Sequence, residues 1–170
     1  RAANIAWVSL HPADNTPSAA AATAGFTQAP DVGYTALLAA NGHTVTRIVT
    51  VAELGNSPDT LAALNTNDLV IISRSVPSGH YDSAAETAAW HGITAPLMTV
   101  GAYINRNNRL GFHTADTIPA NNSSQMRLRV NTPSHPIFTG IALNATNLMV
   151  NPYSMRVTFT NATTGTNILQ

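Results

Sequence analysis

Short apolar runs recur in the first part of this sequence, and they constrain the fold more than any other feature. Residues 5–8 (IAWV) and 69–72 (LVII) are apolar at every position, as in strands that are buried on both faces. Residues 43–51 (HTVTRIVTV) and 95–103 (APLMTVGAY) read as two further strands, and helical segments separate the four. Strands that alternate with helices predict an α/β fold with a parallel sheet covered on both sides.

The expected topology is a three-layer flavodoxin-like parallel sheet of order 2-1-3-4, with additional C-terminal strands, because crossovers between parallel strands are right-handed. Residues 125–130 and 147–161 are strand-prone and would supply the additional strands. At 170 residues the chain fits one main domain. We therefore predict an α/β domain over residues 1–150. Residues 151–170 are expected to form a C-terminal strand or tail that completes the sheet or mediates assembly.

Two helix signals are specific enough to test. Asp31 is a good capping residue for the helix that follows it, and the apolar residues of that helix share one face by their spacing. Those residues are Tyr34, Leu37 and Leu38. Residues 83–86 (SAAE) form a capping box for a later helix. Near the end of the main domain, His135 is expected to order a turn before Pro136.

The chain carries few charges and no Cys. Charged residues make up 9% of the chain and the formal net charge is zero, against about 25% charged residues in an average protein. A basic face for nucleic acid is therefore not expected. The absence of Cys excludes disulfides, thiolate metal ligands and a Cys nucleophile. No apolar run approaches the roughly 18 residues that membrane insertion needs.

Asn, Thr and Ser supply most of the polarity, and every basic residue is Arg. A surface of neutral hydroxyls and amides is typical of bacterial extracellular proteins. We predict an extracellular or cell-surface protein whose signal peptide has been removed. The sequence has no Gly-rich phosphate loop, no His pair at zinc spacing and no calcium loop. We therefore predict neither a cofactor nor a metal.

The expected topology also predicts where a site would lie. In doubly wound sheets, ligands bind beyond the carboxyl ends of the strands, where the strand order reverses. Here that point lies between the first and third strands, and the loop after the fourth strand lies beside it. The candidate ligand-binding residues in these loops are His11, Asp14, Arg74, Ser75, Ser78, His80, Tyr103, Asn105 and Arg106.

Three segments, DLVIISRSVPSG, APLMTVGAYINRNNRLGF and SHPIFTGI, carry a family resemblance. Over roughly residues 4–142 the chain resembles the class I glutamine-amidotransferase-like superfamily, and within it the secreted and ThuA-like branches. The resemblance implies the flavodoxin-like fold. The amidotransferases of that family place a Cys after the strand that matches LMTVGAY, where this chain has Gly101-Ala102-Tyr103. Amidotransferase chemistry is therefore not expected.

Three functional hypotheses remain open. The first is a non-catalytic binding or assembly domain outside the cell, whose partner is a second copy of itself or an extracellular glycan. The second is a hydrolase or carbohydrate-active enzyme that uses Ser75 or Ser78 with His80 or His11, which requires a Ser–His hydrogen bond with a carboxylate behind it. The third is a sugar-binding module that uses Arg74, Tyr103 and Arg106.

Overall fold

The structure is a computed structural model that describes residues 1–54, 57–117, 120–121, 129–150 and 157–158. The chain divides into two compact units, Arg1–Gly111 and Phe112–Gln170. The first unit contains the main sheet and every predicted site residue. The domain boundary predicted at residue 150 stays a prediction.

Four parallel strands form the sheet of the first unit. They are β1 (Asn4–Ser9), β2 (Thr44–Val49), β3 (Leu69–Ile72) and β4 (Leu97–Thr99). Their order is β2-β1-β3-β4, and all three neighbouring pairs are parallel. The predicted α/β class and the strand order 2-1-3-4 are therefore confirmed.

Helices connect consecutive strands. Between β1 and β2 lie α1 (Ala19–Thr23) and α2 (Val32–Ala40), followed by α3 (Pro58–Asn65) before β3 and α4 (Ala84–His91) before β4. Short 3-10 turns follow β3 at Ser78–Tyr81 and β4 at Ala102–Asn105. None of the helices in the described part of the chain is long and apolar enough to cross a membrane.

Strand β1 lies at the centre of the core because it has a neighbour on each side. Its residues Ile5 and Trp7 pack with Ile71 of β3 on one face of the sheet. Val8 pairs in register with Ile72, and both are buried. Each fully buried side chain of this kind stabilises the fold by roughly 1.5–3 kcal/mol. The continuous apolar run in β1 therefore reflects burial of the strand on both faces of the sheet, as the sequence indicated.

The orientation of α2 differs from the prediction. Tyr34 and Leu37 are 55% and 62% exposed, whereas Thr35 is buried. Of the three predicted face residues, Leu38 packs against the core cluster, and the Tyr34 ring stacks on Trp7 of that cluster while staying half-exposed. Nearly every residue of this helix is apolar, so hydrophobic spacing does not select a face. Asp31 stands at the N-cap position, but its side chain makes no capping hydrogen bond.

The capping hydrogen bond that the sequence predicts before α4 is present. The hydroxyl of Ser83 accepts a hydrogen bond from the backbone N–H of Glu86 at 3.1 Å, as predicted. The Glu86 carboxylate is buried and accepts from the indole N–H of Trp90 at 2.9 Å. The ring of Trp90 lies 5.4 Å from the ring of Tyr81. These contacts fix α4 against the turn that follows β3.

The second unit contains a two-residue antiparallel pair, β5 (Ala120–Asn121) with β6 (Val157–Thr158). His135 Nδ1 accepts a hydrogen bond from the backbone N–H of Ile137 at 3.2 Å and caps the 3-10 turn Pro136–Phe138. The segments predicted to add C-terminal strands to the main sheet lie largely outside the described residues. That part of the fold prediction stays a prediction.

Candidate functional site

The loops at the carboxyl edge of the sheet hold a network of polar side chains around Asp31. The Asp31 side chain is 8% exposed. Its Oδ2 accepts from the indole N–H of Trp7 at 2.9 Å and from the hydroxyl of Ser9 at 2.8 Å. Ser75 Oγ lies 3.4 Å from the same oxygen. One carboxylate thus joins the start of α2 to the ends of β1 and β3.

Three serines continue this network. The hydroxyl oxygens of Ser73 and Ser75 lie 2.6 Å apart, and those of Ser75 and Ser9 lie 3.0 Å apart. Ser75 Oγ also accepts from the backbone N–H of Leu10 at 3.2 Å. Each hydroxyl can donate one proton and accept two, so the Ser75 hydroxyl is fully used in holding two loops together.

Arg47, in the middle of β2, supplies the positive charge of the network. Its Nη2 donates to Asp31 Oδ1 at 2.8 Å, and its Nε donates to Asp14 Oδ1 at 2.7 Å. Thr35 donates its hydroxyl proton to the same Asp14 oxygen at 2.8 Å. The Arg47 side chain is 8% exposed and that of Asp14 is 52% exposed. Two carboxylates against one guanidinium leave this cluster with one excess negative charge.

The contacts of Asp31 determine its ionisation. Burial by itself would raise the pKa of Asp31. Hydrogen bonds from Arg47, Trp7 and Ser9, together with the Arg47 charge, outweigh that effect and lower the pKa to about 2. Asp31 is therefore an acceptor of hydrogen bonds at any ordinary pH, and not a proton donor or a general base.

The two candidate histidines are held by groups other than the candidate serines. His11 is buried, and its Nδ1 accepts from the backbone N–H of Ser18 at 3.0 Å. His80 Nδ1 lies 3.2 Å from the hydroxyl of Thr50. Among the hydrogen bonds of the described residues, none joins His11 or His80 to Ser75 or Ser78. The Ser–His pair that the hydrolase hypothesis requires is not assembled in this geometry.

The Thr50 hydroxyl also lies 3.1 Å from the hydroxyl of Tyr81. Burial raises the pKa of Tyr81 well above its usual range; the Thr50 hydrogen bond lowers it, and the nearby Glu86 charge raises it further. Tyr81 therefore stays a neutral hydroxyl that fixes the turn after β3.

A second group of candidates, which we call the rim cluster, lies in the loops after β3 and β4 and consists of Arg74, Ser78, Tyr103 and Arg106. Arg106 donates from Nη2 to Ser78 Oγ at 3.3 Å, and its guanidinium carbon lies 5.4 Å from the centre of the Tyr103 ring. Tyr103 is 37% exposed. Arg74 is exposed, and no hydrogen bond or ion pair engages it within the described part of the chain. Asn105, next to the cluster, donates to Thr99 Oγ1 at 2.9 Å.

Sequence reasoning missed the residues at the centre of the network. Trp7, Ser9, Thr35 and Arg47 were not candidates, and Asp31 was taken for a helix cap. One signal was available, since Arg47 interrupts an apolar strand (TVTRIV) and a charge at such a position requires a partner. The identity of that partner depends on contacts between residues distant in sequence, which no local pattern provides.

Within the ranges that the structure describes, no group of three or more His, Asp or Glu side chains could hold a metal ion. No family model, no curated protein and no solved structure matches the chain. The residues at the carboxyl edge of the sheet are therefore the basis for any assignment of function.

Proposed function

We propose that this chain is a secreted, non-catalytic binding domain of an extracellular or cell-surface protein, with an amidotransferase-like fold that lacks the nucleophile. The ligand would be a hydroxyl-rich molecule such as a glycan, bound at the rim cluster. One observation carries the proposal. The serines and histidines that could react are engaged in hydrogen bonds that hold the loops, whereas Arg74 and Tyr103 are exposed beside them.

The chemistry of the rim cluster supports a sugar ligand. An exposed aromatic ring offers a flat apolar face to the C–H groups of a sugar, and guanidinium groups donate several hydrogen bonds in fixed directions. Arg106 already lies over the Tyr103 ring and bonds Ser78, so this half of the cluster is held in place before a ligand arrives. Preorganisation of this kind lowers the entropic cost of binding.

We expect Arg74→Ala to weaken glycan binding about tenfold, the scale of one charge-assisted hydrogen bond. The fold should be unaffected because the Arg74 side chain is exposed. Glycan arrays with the wild-type chain would select a glycan, and titration calorimetry would compare the variants.

The matched control for this experiment is Arg1→Ala. It removes an equal charge from an exposed position before β1, at the opposite edge of the sheet. Equal affinity of the wild type and Arg74→Ala, or an equal loss in Arg1→Ala, would exclude the rim cluster as the binding site. The absence of any bound glycan on the array would refute the proposal itself.

Self-association is a second part of the proposal. Strand β2 pairs with β1 alone in the described sheet, so its other edge has no strand partner among the described residues. Exposed charges usually protect such an edge, but the only charged residue of β2, Arg47, points inward to Asp14 and Asp31. In this proposal residues 151–170 either complete the sheet or pair with a neighbouring chain.

Light scattering across a range of protein concentrations tests self-association. We expect a particle of fixed size above the monomer mass of 17.8 kDa, or a mass that rises with concentration. A monomer at every concentration would remove self-association from the proposal and leave glycan binding as the remaining function.

A further inference from the structure

A shallow groove beside Asp14, which we call the Asp14 groove, is separate from the rim cluster. It lies between the loop after β1, helix α2 and strand β2, and it encloses about 470 Å³. Its lining includes Pro12, Asp14, Thr35, Ala39, Val45 and Arg47. Pro12, Ala39 and Val45 are small and apolar, whereas Asp14, Thr35 and Arg47 belong to the network of polar side chains around Asp31.

Two polar groups of this lining have unused hydrogen-bonding capacity. Arg47 Nη1 is buried and has no hydrogen-bond partner among the described residues, although Nε and Nη2 of the same side chain are bonded. A buried donor without a partner destabilises the fold, and a ligand oxygen that accepts from it removes that penalty. Asp14 uses Oδ1 for its contacts with Arg47 and Thr35, and its half-exposed carboxylate retains Oδ2 as an acceptor.

The charges of the lining select the class of ligand. An anion that accepted from Arg47 would meet Asp14 and Asp31, which together outweigh the guanidinium by one charge. A cation that bonded Asp14 would lie close to Arg47. A neutral hydroxyl group avoids both repulsions because it donates to the carboxylate and accepts from the guanidinium.

We propose that the Asp14 groove binds a neutral polyhydroxylated ligand, a polyol or a saccharide unit. One hydroxyl donates to Asp14 Oδ2, and its oxygen or that of a neighbouring hydroxyl accepts from Arg47 Nη1. Nη1 is closed to solvent in the structure, so this contact requires the groups around it to move when the ligand binds. The C–H face of the ligand packs on Ala39 and Val45. This site does not depend on the rim cluster.

The test uses two neutral probes, D-mannitol and methyl β-D-glucopyranoside, added to the isotope-labelled full chain. We expect saturable NMR shifts of the backbone amides of Ala13 and Thr46 and of the Arg47 Nε–H signal, with a Kd on the order of 1 mM. Absence of saturable shifts with both probes would overturn the proposal. Stronger shifts with acetate or with lysine methyl ester would also overturn it, because they would identify an ionic site.

Variants distinguish a loss of binding in the Asp14 groove from a general effect on the fold. Asp14→Asn should weaken binding about fivefold, since a neutral amide oxygen is a poorer acceptor than a carboxylate. Ala39→Phe should abolish binding by filling the groove, and Ala40→Phe, its exposed neighbour on α2, should leave binding unchanged. Retained binding in Ala39→Phe would place the ligand elsewhere. Arg74→Ala should leave these shifts unaffected, so failure here and failure of the proposed rim site are distinguishable.

Discussion

Replacing Asp31 by Ala is expected to lower the free energy of unfolding by about 3–5 kcal/mol, the cost of removing one partner from a buried ion pair. The variant leaves the Arg47 guanidinium, 8% exposed, with Asp14 as its one remaining carboxylate among the described residues. It also removes the acceptor of the Trp7 indole N–H and of the Ser9 hydroxyl. Urea denaturation at pH 7, followed by tryptophan fluorescence, measures the change.

Three further variants test whether burial is the cause. Asp14→Ala removes the other partner of Arg47, but Asp14 is 52% exposed, so we expect a loss of about 1 kcal/mol or less. Asp31→Asn keeps an acceptor oxygen and should lie between Asp31→Ala and the wild type. Asp59→Ala, on the exposed first turn of α3, should change stability by less than about 0.5 kcal/mol. Similar losses in Asp31→Ala and Asp14→Ala would contradict the central role of Asp31.

The sequence was sufficient to predict the sheet because its apolar runs report burial directly. Residues 5–8 lack a polar position, and the structure gives β1 a neighbour on each side. The order of the four strands was expected from the flavodoxin-like topology, one of the few that right-handed crossovers allow. These signals are local or general, so they do not depend on knowing which residues meet in space.

The rotation of α2 could not be predicted because its side chains are nearly uniform in hydrophobicity. Thr35 is buried through its hydrogen bond to Asp14, a residue 21 positions away, and Tyr34 instead stacks on Trp7 with a ring separation of 5.8 Å. A polar contact between distant residues therefore sets the orientation of the helix. Local propensity is a weak guide wherever tertiary contacts compete with it.

The candidate site was predicted in position but not in its bonding. The loops after β1, β3 and β4 do lie at the carboxyl edge, as the topology requires. Sequence proximity suggested that His80 would serve Ser75 or Ser78, whereas its ring contacts Thr50 at the end of β2. Ser75 instead bonds Ser73, Ser9 and Asp31, and Ser78 accepts from Arg106. Hydrogen-bond partners depend on which side chains meet in the folded chain, and spacing along the sequence does not reveal this.

Acid should remove the stabilising effect of Asp31. Its pKa is about 2 in the folded chain, against 3.8 for the ordinary carboxyl group. Because the folded pKa is the lower one, the stabilisation is complete above pH 3.8 and is lost as the pH falls toward 2. The difference in pKa corresponds to about 2 kcal/mol. Urea denaturation at intervals from pH 5 to pH 2 should reveal a loss of this size.

The Asp31→Asn variant isolates this contribution because residue 31 then cannot titrate. Its stability should start lower at pH 5 and fall about 2 kcal/mol less than that of the wild type over the same interval. The other carboxyl groups are present in both proteins, so their effects cancel in the comparison. Parallel curves for the two proteins would mean that Asp31 has the same pKa folded and unfolded, and that the hydrogen bonds from Arg47, Trp7 and Ser9 do not hold its charge.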